Sequence, residues 1–138
     1  MASSAAWAAV QSTGASGKLT AAEASFKLKY APYMDMFPEH AGKDPLANIS
    51  FCHDMGFTAM FDNGLLGRPV EEQNKIASQM QKLNMELGPF VLYADFSVTS
   101  FVLNKAAVRE MLVNKMKEGV ELAKRTGAKW DLVDQGRY

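Results

Sequence analysis

From Phe26 onward, one cadence limits what this chain can fold into. Strand-like alternation, a turn and a helix-period stripe succeed one another three times, and a fourth strand-like segment closes the sequence. The stretch FKLKYAPYMDMF (26–37) alternates in period two, with Phe26, Leu28 and Tyr30 on one face and Lys27, Lys29, Ala31 and Tyr33 on the other. Asp44 then offers a helix cap and Pro45 a first helical position. Leu46, Ile49, Cys52 and Met55 recur at helical spacing, and Gly56 supplies a stop. FTAMFDN (57–63) reads as the second strand, ending in an Asp62-Asn63-Gly64 turn. Pro69, with Glu71 and Glu72 in the first turn, opens a helix striped by Ile76, Ala77, Met80 and Leu83, and Asn84 stops it. Residues 85–96 hold the third strand, densest at Phe90–Tyr93. Asn104 caps a longer helix striped by Val108, Met111, Leu112, Met116, Gly119, Leu122 and Ala123, Gly127 ends it, and 129–135 form the fourth strand.

The resulting order is βαβαβαβ, with a repeat of roughly 30 to 40 residues, the size of one βαβ unit. Helices that return the chain to the same end of a sheet require parallel strands. Two architectures cover such a sheet: a doubly wound fold with reversed strand order, or a closed barrel of eight strands that needs about 250 residues. Strands buried by helices on both faces read as near-continuous Val/Ile/Leu runs. Here Lys29, Ala31 and Tyr33 share a face of the first strand, and Asp131 and Asp134 fall on opposite faces of the last. That mixed polarity suits a barrel lumen. The sequence is therefore expected to form an α/β half of a (β/α)8 TIM barrel over 26–138, with four parallel strands and three helices. Residues 1–25, rich in Ala, Ser, Gly and Thr, read as a flexible lead-in, the remnant of a processed leader or an engineering scar.

Composition narrows the functions. Lys plus Arg equals Asp plus Glu at 15 each, so the chain lacks the basic excess of a nucleic-acid binder. Apolar residues make up 48% of the chain, enough for a core, yet no apolar run approaches the ~20 residues of a membrane span. A single cysteine, Cys52, excludes an intrachain disulfide and reads as a small buried hydrophobe. Cytoplasmic residence and export after leader processing both stay open.

KLKYAPYMDMF, HAGKDP, MGFTAMFDNGLLGRPVEEQ, LGPFVLYA and AKRTGAKW, in this order, resemble hydroxypyruvate isomerase-like proteins of the xylose isomerase-like (sugar isomerase/epimerase) TIM barrels. The resemblance spans residues 26–133, and FDNGLLGRPVEEQ and HAGKDP are its most specific parts. It implies aldose–ketose type isomerisation of a small hydroxy-carbonyl compound. A divalent metal (Mg or Mn) polarises the substrate oxygens while a Glu moves a proton between adjacent carbons. In that family the metal ligands and catalytic carboxylates come from the fifth to eighth strands, so no residue up to Tyr138 inherits those roles. No catalytic residue, and no metal for this chain alone, is expected. Two departures from the family pattern stand out. Tyr33 and Tyr93 occupy places where relatives carry His, and DLVDQGRY replaces an apolar run into a Pro-Gly turn.

Barrel enzymes place function at the C-terminal ends of strands. By that rule Tyr33, His40, Asp62, Asn63 and Tyr93 are the candidate substrate-binding residues, with Asp35, Asp95, Gln135 and Arg137 nearby in sequence. Each has a plainer reading. Asp62 and Asn63 precede a glycine and can shape a turn, and His40 suits a solvated loop. The tyrosines can be packing with a satisfied hydroxyl, and Glu71-Glu72 suits a solvated helix start. Three functions follow: the N-terminal half of an isomerase, inactive alone; a non-catalytic half-barrel that self-associates through open strand edges; and a metal-free module binding hydroxy acids through Tyr33, Asp62 and Tyr93.

Overall fold

A computed structural model describes residues 26–96 and 105–133. The lead-in, the expected Asn104 cap, Gln135 and Arg137 lie outside the described residues. Helices and short parallel strands alternate: α1 (Pro38–Ala41), α2 (Pro45–Asp54), β1 (Ala59–Met60), α3 (Val70–Lys82), β2 (Glu86–Leu87), β3 (Phe90–Tyr93), α4 (Ala106–Thr126) and β4 (Asp131–Val133). A 3-10 turn at Leu65–Gly67 leads from β1 toward α3. The chain is thus α/β. Its strands form two two-stranded parallel sheets, β1 with β2 and β3 with β4, not one continuous four-stranded ladder.

The helix boundaries follow from local chemistry. Asp44 caps α2, its carboxylate accepting from the Leu46 and Ala47 amides at 3.4 and 3.2 Å, and Pro45 occupies the first turn. Gly56 ends the unit with φ +87°, and the Phe57 amide closes back on the Cys52 carbonyl at 3.0 Å. Asn84 does the same after α3 with φ +53°, a left-handed conformation that Asn tolerates better than most side chains. Gly127 ends α4 in the left-handed region.

The strands depart furthest from expectation. The first, expected over 26–37, reduces to an isolated parallel bridge between Tyr33 and Phe61. Pro32 interrupts the run because it has no N–H to give, and only its carbonyl joins the ladder, accepting from Phe61 at 3.1 Å. Phe26, Leu28 and Tyr30, the expected apolar face, stay exposed. The third strand, expected as one run, divides at Gly88-Pro89. The Gly88 amide donates to the Met60 carbonyl at 2.7 Å, and a Cβ there would sit 3.1 Å from the Phe61 Cβ. Pro89 then offers no donor, so the ladder to the first sheet ends and β3 pairs with β4 instead. One further helix appears: AGKDP was expected as loop, and the single turn of α1 ends on its Ala41 and carries His40, which was read as a loop residue.

The core lies between the helices and one face of these strands. Ile49 and Cys52 of α2, Met60 of β1, Ile76 and Met80 of α3, Leu87, Phe90 and Leu92 of the β2–β3 segment and Leu122 of α4 are buried together. Gly119 lets α4 approach closely, since a Cβ there would stand 2.5 Å from a Leu92 methyl. The α4 stripe is only partly covered. Gly119 and Leu122 are buried, whereas Met116 of the expected stripe is exposed, as are Val113 and Val120. No helix of the described residues is long and apolar enough to cross a membrane.

Candidate functional site

The parallel bridge at Tyr33 and the end of β1 bring Tyr33 and Asp62 together at the C-terminal side of the strands. Tyr33 packs its ring on Phe61 with centroids 5.5 Å apart. Asp62 is fully buried, and its two carboxylate oxygens face different partners. Oδ1 accepts from the Gly64 amide at 2.9 Å, the aspartate turn expected from Asp-Asn-Gly. Oδ2 accepts from Arg68 Nε at 2.5 Å.

Arg68 ties the site together. Its Nη1 donates to Glu72 at 2.7 Å, and its Nη2 lies 3.9 Å from Asp35. One guanidinium therefore joins the turn after the Tyr33 bridge, the end of β1 and the first turn of α3. Burial acts to lower the Arg68 pKa, but the hydrogen bonds and charges of Asp62 and then Glu72 outweigh it, and the net direction is upward. Three carboxylates against one guanidinium leave the cluster with an excess of negative charge. Tyr33 responds: burial first, then the charges of Asp35 and Asp62 and a hydrogen bond to Asp35, push its hydroxyl above the usual 10.0, with Arg68 opposing. The phenol stays protonated at neutral pH, with its proton directed to Asp35 and its oxygen left to accept.

Chemically the cluster presents a hydroxyl and the half-exposed carboxylate of Asp35, which suit the hydroxyls of a small polyhydroxy compound. Asp62 and Arg68 are committed to each other and to the fold. Among the described residues no group of three or more His, Cys, Asp or Glu side chains is placed to hold a metal.

The other sequence candidates fall elsewhere or make no contact with this network. His40 stacks on Phe51, centroids 5.7 Å apart and planes within 3°, on the exposed side of α1. Asn63 is exposed in the turn, and Tyr93 is half-buried at the end of β3. Glu71 fits its solvated reading by pairing with Lys75, whereas Glu72 turns inward to Arg68. Sequence reasoning missed Arg68, whose signal was its i,i+4 spacing to Glu72 just after a turn aspartate. It also missed Gln73, buried at 2% exposure, whose Nε2 donates to the Leu65 and Arg68 carbonyls at 3.0 and 2.8 Å.

A second concavity, about 1080 Å³, opens at the opposite ends of the strands, bounded by Thr58 before β1, Met85–Leu87 around β2, Lys129 before β4 and one side of α3. No protein-family profile, no curated protein and no solved structure matches the chain.

Proposed function

We propose that the chain supplies the first four strand–helix units of a hydroxypyruvate isomerase-like (β/α)8 barrel. It would contribute Tyr33 and Asp35, held in place by the Asp62–Arg68 pair, to the substrate mouth while the metal and the proton-moving carboxylates are held by later strands. The order of strand pairing carries this reading. Tyr33 pairs with Phe61, β1 with β2 and β3 with β4, always parallel and always with the next segment in the chain. A doubly wound sheet reverses its order at a switch point, and barrel strands do not. Tyr33, Asp35 and Asp62 sit where strands end, the position at which barrels gather substrate groups. The metal (Mg or Mn) would polarise a carbonyl oxygen, and this chain's part is to orient the substrate hydroxyls.

Two measurements test the reading. The purified 138-residue chain, supplied with hydroxypyruvate and Mg²⁺ or Mn²⁺, gives no conversion above a metal-only control; turnover would overturn the assignment of the catalytic groups to other strands. The coding sequence downstream of Tyr138 encodes four further βα units with carboxylates and a His or amide at the strand ends. A stop codon or an unrelated fold there would sink the barrel reading.

A second reading, a half-barrel that self-associates, is favoured by a specific surface. On β4 and just before it, Trp130 and Leu132 are 65% and 50% exposed, and β4 pairs on one edge only among the described residues. Sedimentation velocity separates the two: a discrete dimer or polymer lost in Trp130→Ser supports association, and a monomer at all concentrations rules it out.

A further inference from the structure

The concavity at the strand entrances is built differently from the carboxylate cluster, and its central residue is Arg125, near the end of α4. Gln73 holds this guanidinium: Arg125 Nε and Nη2 both donate to the Gln73 Oε1, at 3.1 and 2.7 Å. Gln73 is itself locked by the carbonyls that its amide nitrogen meets, so the pair of bonds fixes the plane of an otherwise exposed arginine. An amide orients a cation without neutralising it. Among the described residues Arg125 forms no ion pair, and Lys129, which lines the same cleft, acts on the Glu86 carboxylate without closing an ion pair to it. Lys29 lines it too, 2.6 Å from Glu86. Three cations against one carboxylate leave the cleft with a positive excess, in a chain whose total formal charge is zero. Of the five N–H donors of a guanidinium, Gln73 takes two, which leaves three for a guest. Asn74 and Ser78 add neutral donors on the α3 wall.

We infer that this cleft is a binding site for a small phosphate monoester, with Arg125 and Lys129 on the phosphate and the α3 wall on the hydroxyls of its carbon portion. A planar, pre-oriented guanidinium is the geometry that recognises a tetrahedral dianion through paired hydrogen bonds, and an ammonium beside it adds charge without fixed direction. The site does not rest on the barrel reading: Gln73 is anchored on the Leu65 and Arg68 carbonyls, but the groups offered to the guest do not include Tyr33, Asp35, Asp62 or the Arg68 side chain, and no later strand is needed.

The test is isothermal titration of the full chain with glycerol 1-phosphate, inorganic phosphate and acetate at fixed ionic strength. Saturable binding of glycerol 1-phosphate, tighter than inorganic phosphate and absent for acetate, is expected. Tighter binding of inorganic phosphate than of the ester would instead identify a free-anion site and overturn the monoester assignment. Arg125→Gln weakens binding by at least about tenfold, since it removes a charge-assisted paired contact. Lys129→Gln weakens it several-fold, and Lys117→Gln, an exposed cation outside the cleft, leaves it unchanged. Absence of saturation, or an equal loss from Lys117→Gln, refutes the site. Should Arg125→Gln fail to fold, the Lys129→Gln and Lys117→Gln pair decides the matter alone.

Discussion

Arg68 and Arg125 are the same side chain put to opposite uses on either side of one buried glutamine, Gln73, which donates to the Arg68 carbonyl and accepts from the Arg125 guanidinium. Arg68 is met by three carboxylates, one of them fully buried, and its side chain is only 19% exposed. Arg125 is met by a neutral amide and left facing solvent. The first arrangement spends the cation on structure, since Asp62 is buried only because Arg68 and the Gly64 amide satisfy it. The second keeps the charge available. A net charge of zero over the chain therefore conceals a local acidic cluster around Arg68 and a cleft with a cationic excess around Arg125, a difference that counting residues does not reveal.

The sharpest way to break that comparison is to remove each guanidinium in turn. Arg68→Gln strands a buried carboxylate and should cost about 3 kcal/mol in urea unfolding, the range for breaking one side of a buried pair. Arg125→Gln in the same assay should cost less, about 1 kcal/mol, because it leaves the buried Gln73 Oε1 without its donors but strands no charge. Comparable losses would mean that both arginines are structural.

Raising the pH separates burial from charge. Burial alone lifts the Cys52 thiol to about 11 from 9.0. In the unfolded chain it loses its proton first, so the protonated folded state contributes stability that is complete below pH 9.0 and lost as pH rises toward about 11. The slope is about 1.4 kcal/mol per pH unit in that window. Tyr33 is raised too, so its contribution has the same sign, fully present below 10.0 and lost above it. Asp35→Asn distinguishes them: absorbance titration at alkaline pH should show one tyrosine ionising earlier in the variant, with native-state thiol reactivity unchanged. The smallest expected effect is on stability in that same Asp35→Asn variant, under about 0.5 kcal/mol, because the 3.9 Å contact to Arg68 is half-exposed.

Much of the helical framework was legible. Asp44, Pro45, Gly56 and Gly127 mark helix ends through side-chain geometry and backbone freedom, which act within a few residues and need no tertiary context. Cys52 was readable as core for a similar reason, since its neighbours recur at helical spacing. The strands were less legible because ladder membership is decided by a partner distant in sequence. Nothing in FKLKYAPYMDMF announces that only Tyr33 finds one, although Pro32 is a warning in retrospect. At the carboxylate end, Tyr33 and Asp62 were named from the rule that strands end in function, and the structure brings them together. His40 and Tyr93 were named by the same rule and lie outside that network, because position along a strand does not fix which neighbour a side chain meets. Arg125 was beyond reach. Its meaning depends on Gln73, separated from it by 52 positions, and a buried glutamine in an amphipathic stripe reads as an outlier rather than a support.

The interruption at Gly88-Pro89 has a mechanical side. A continuous strand would transmit a pull on β4 straight across to β1, but here the backbone releases one neighbour before it grips the next. The joint leaves the two ladders without a shared run of strand hydrogen bonds, so amide hydrogen exchange should open β3–β4 and β1–β2 separately rather than together.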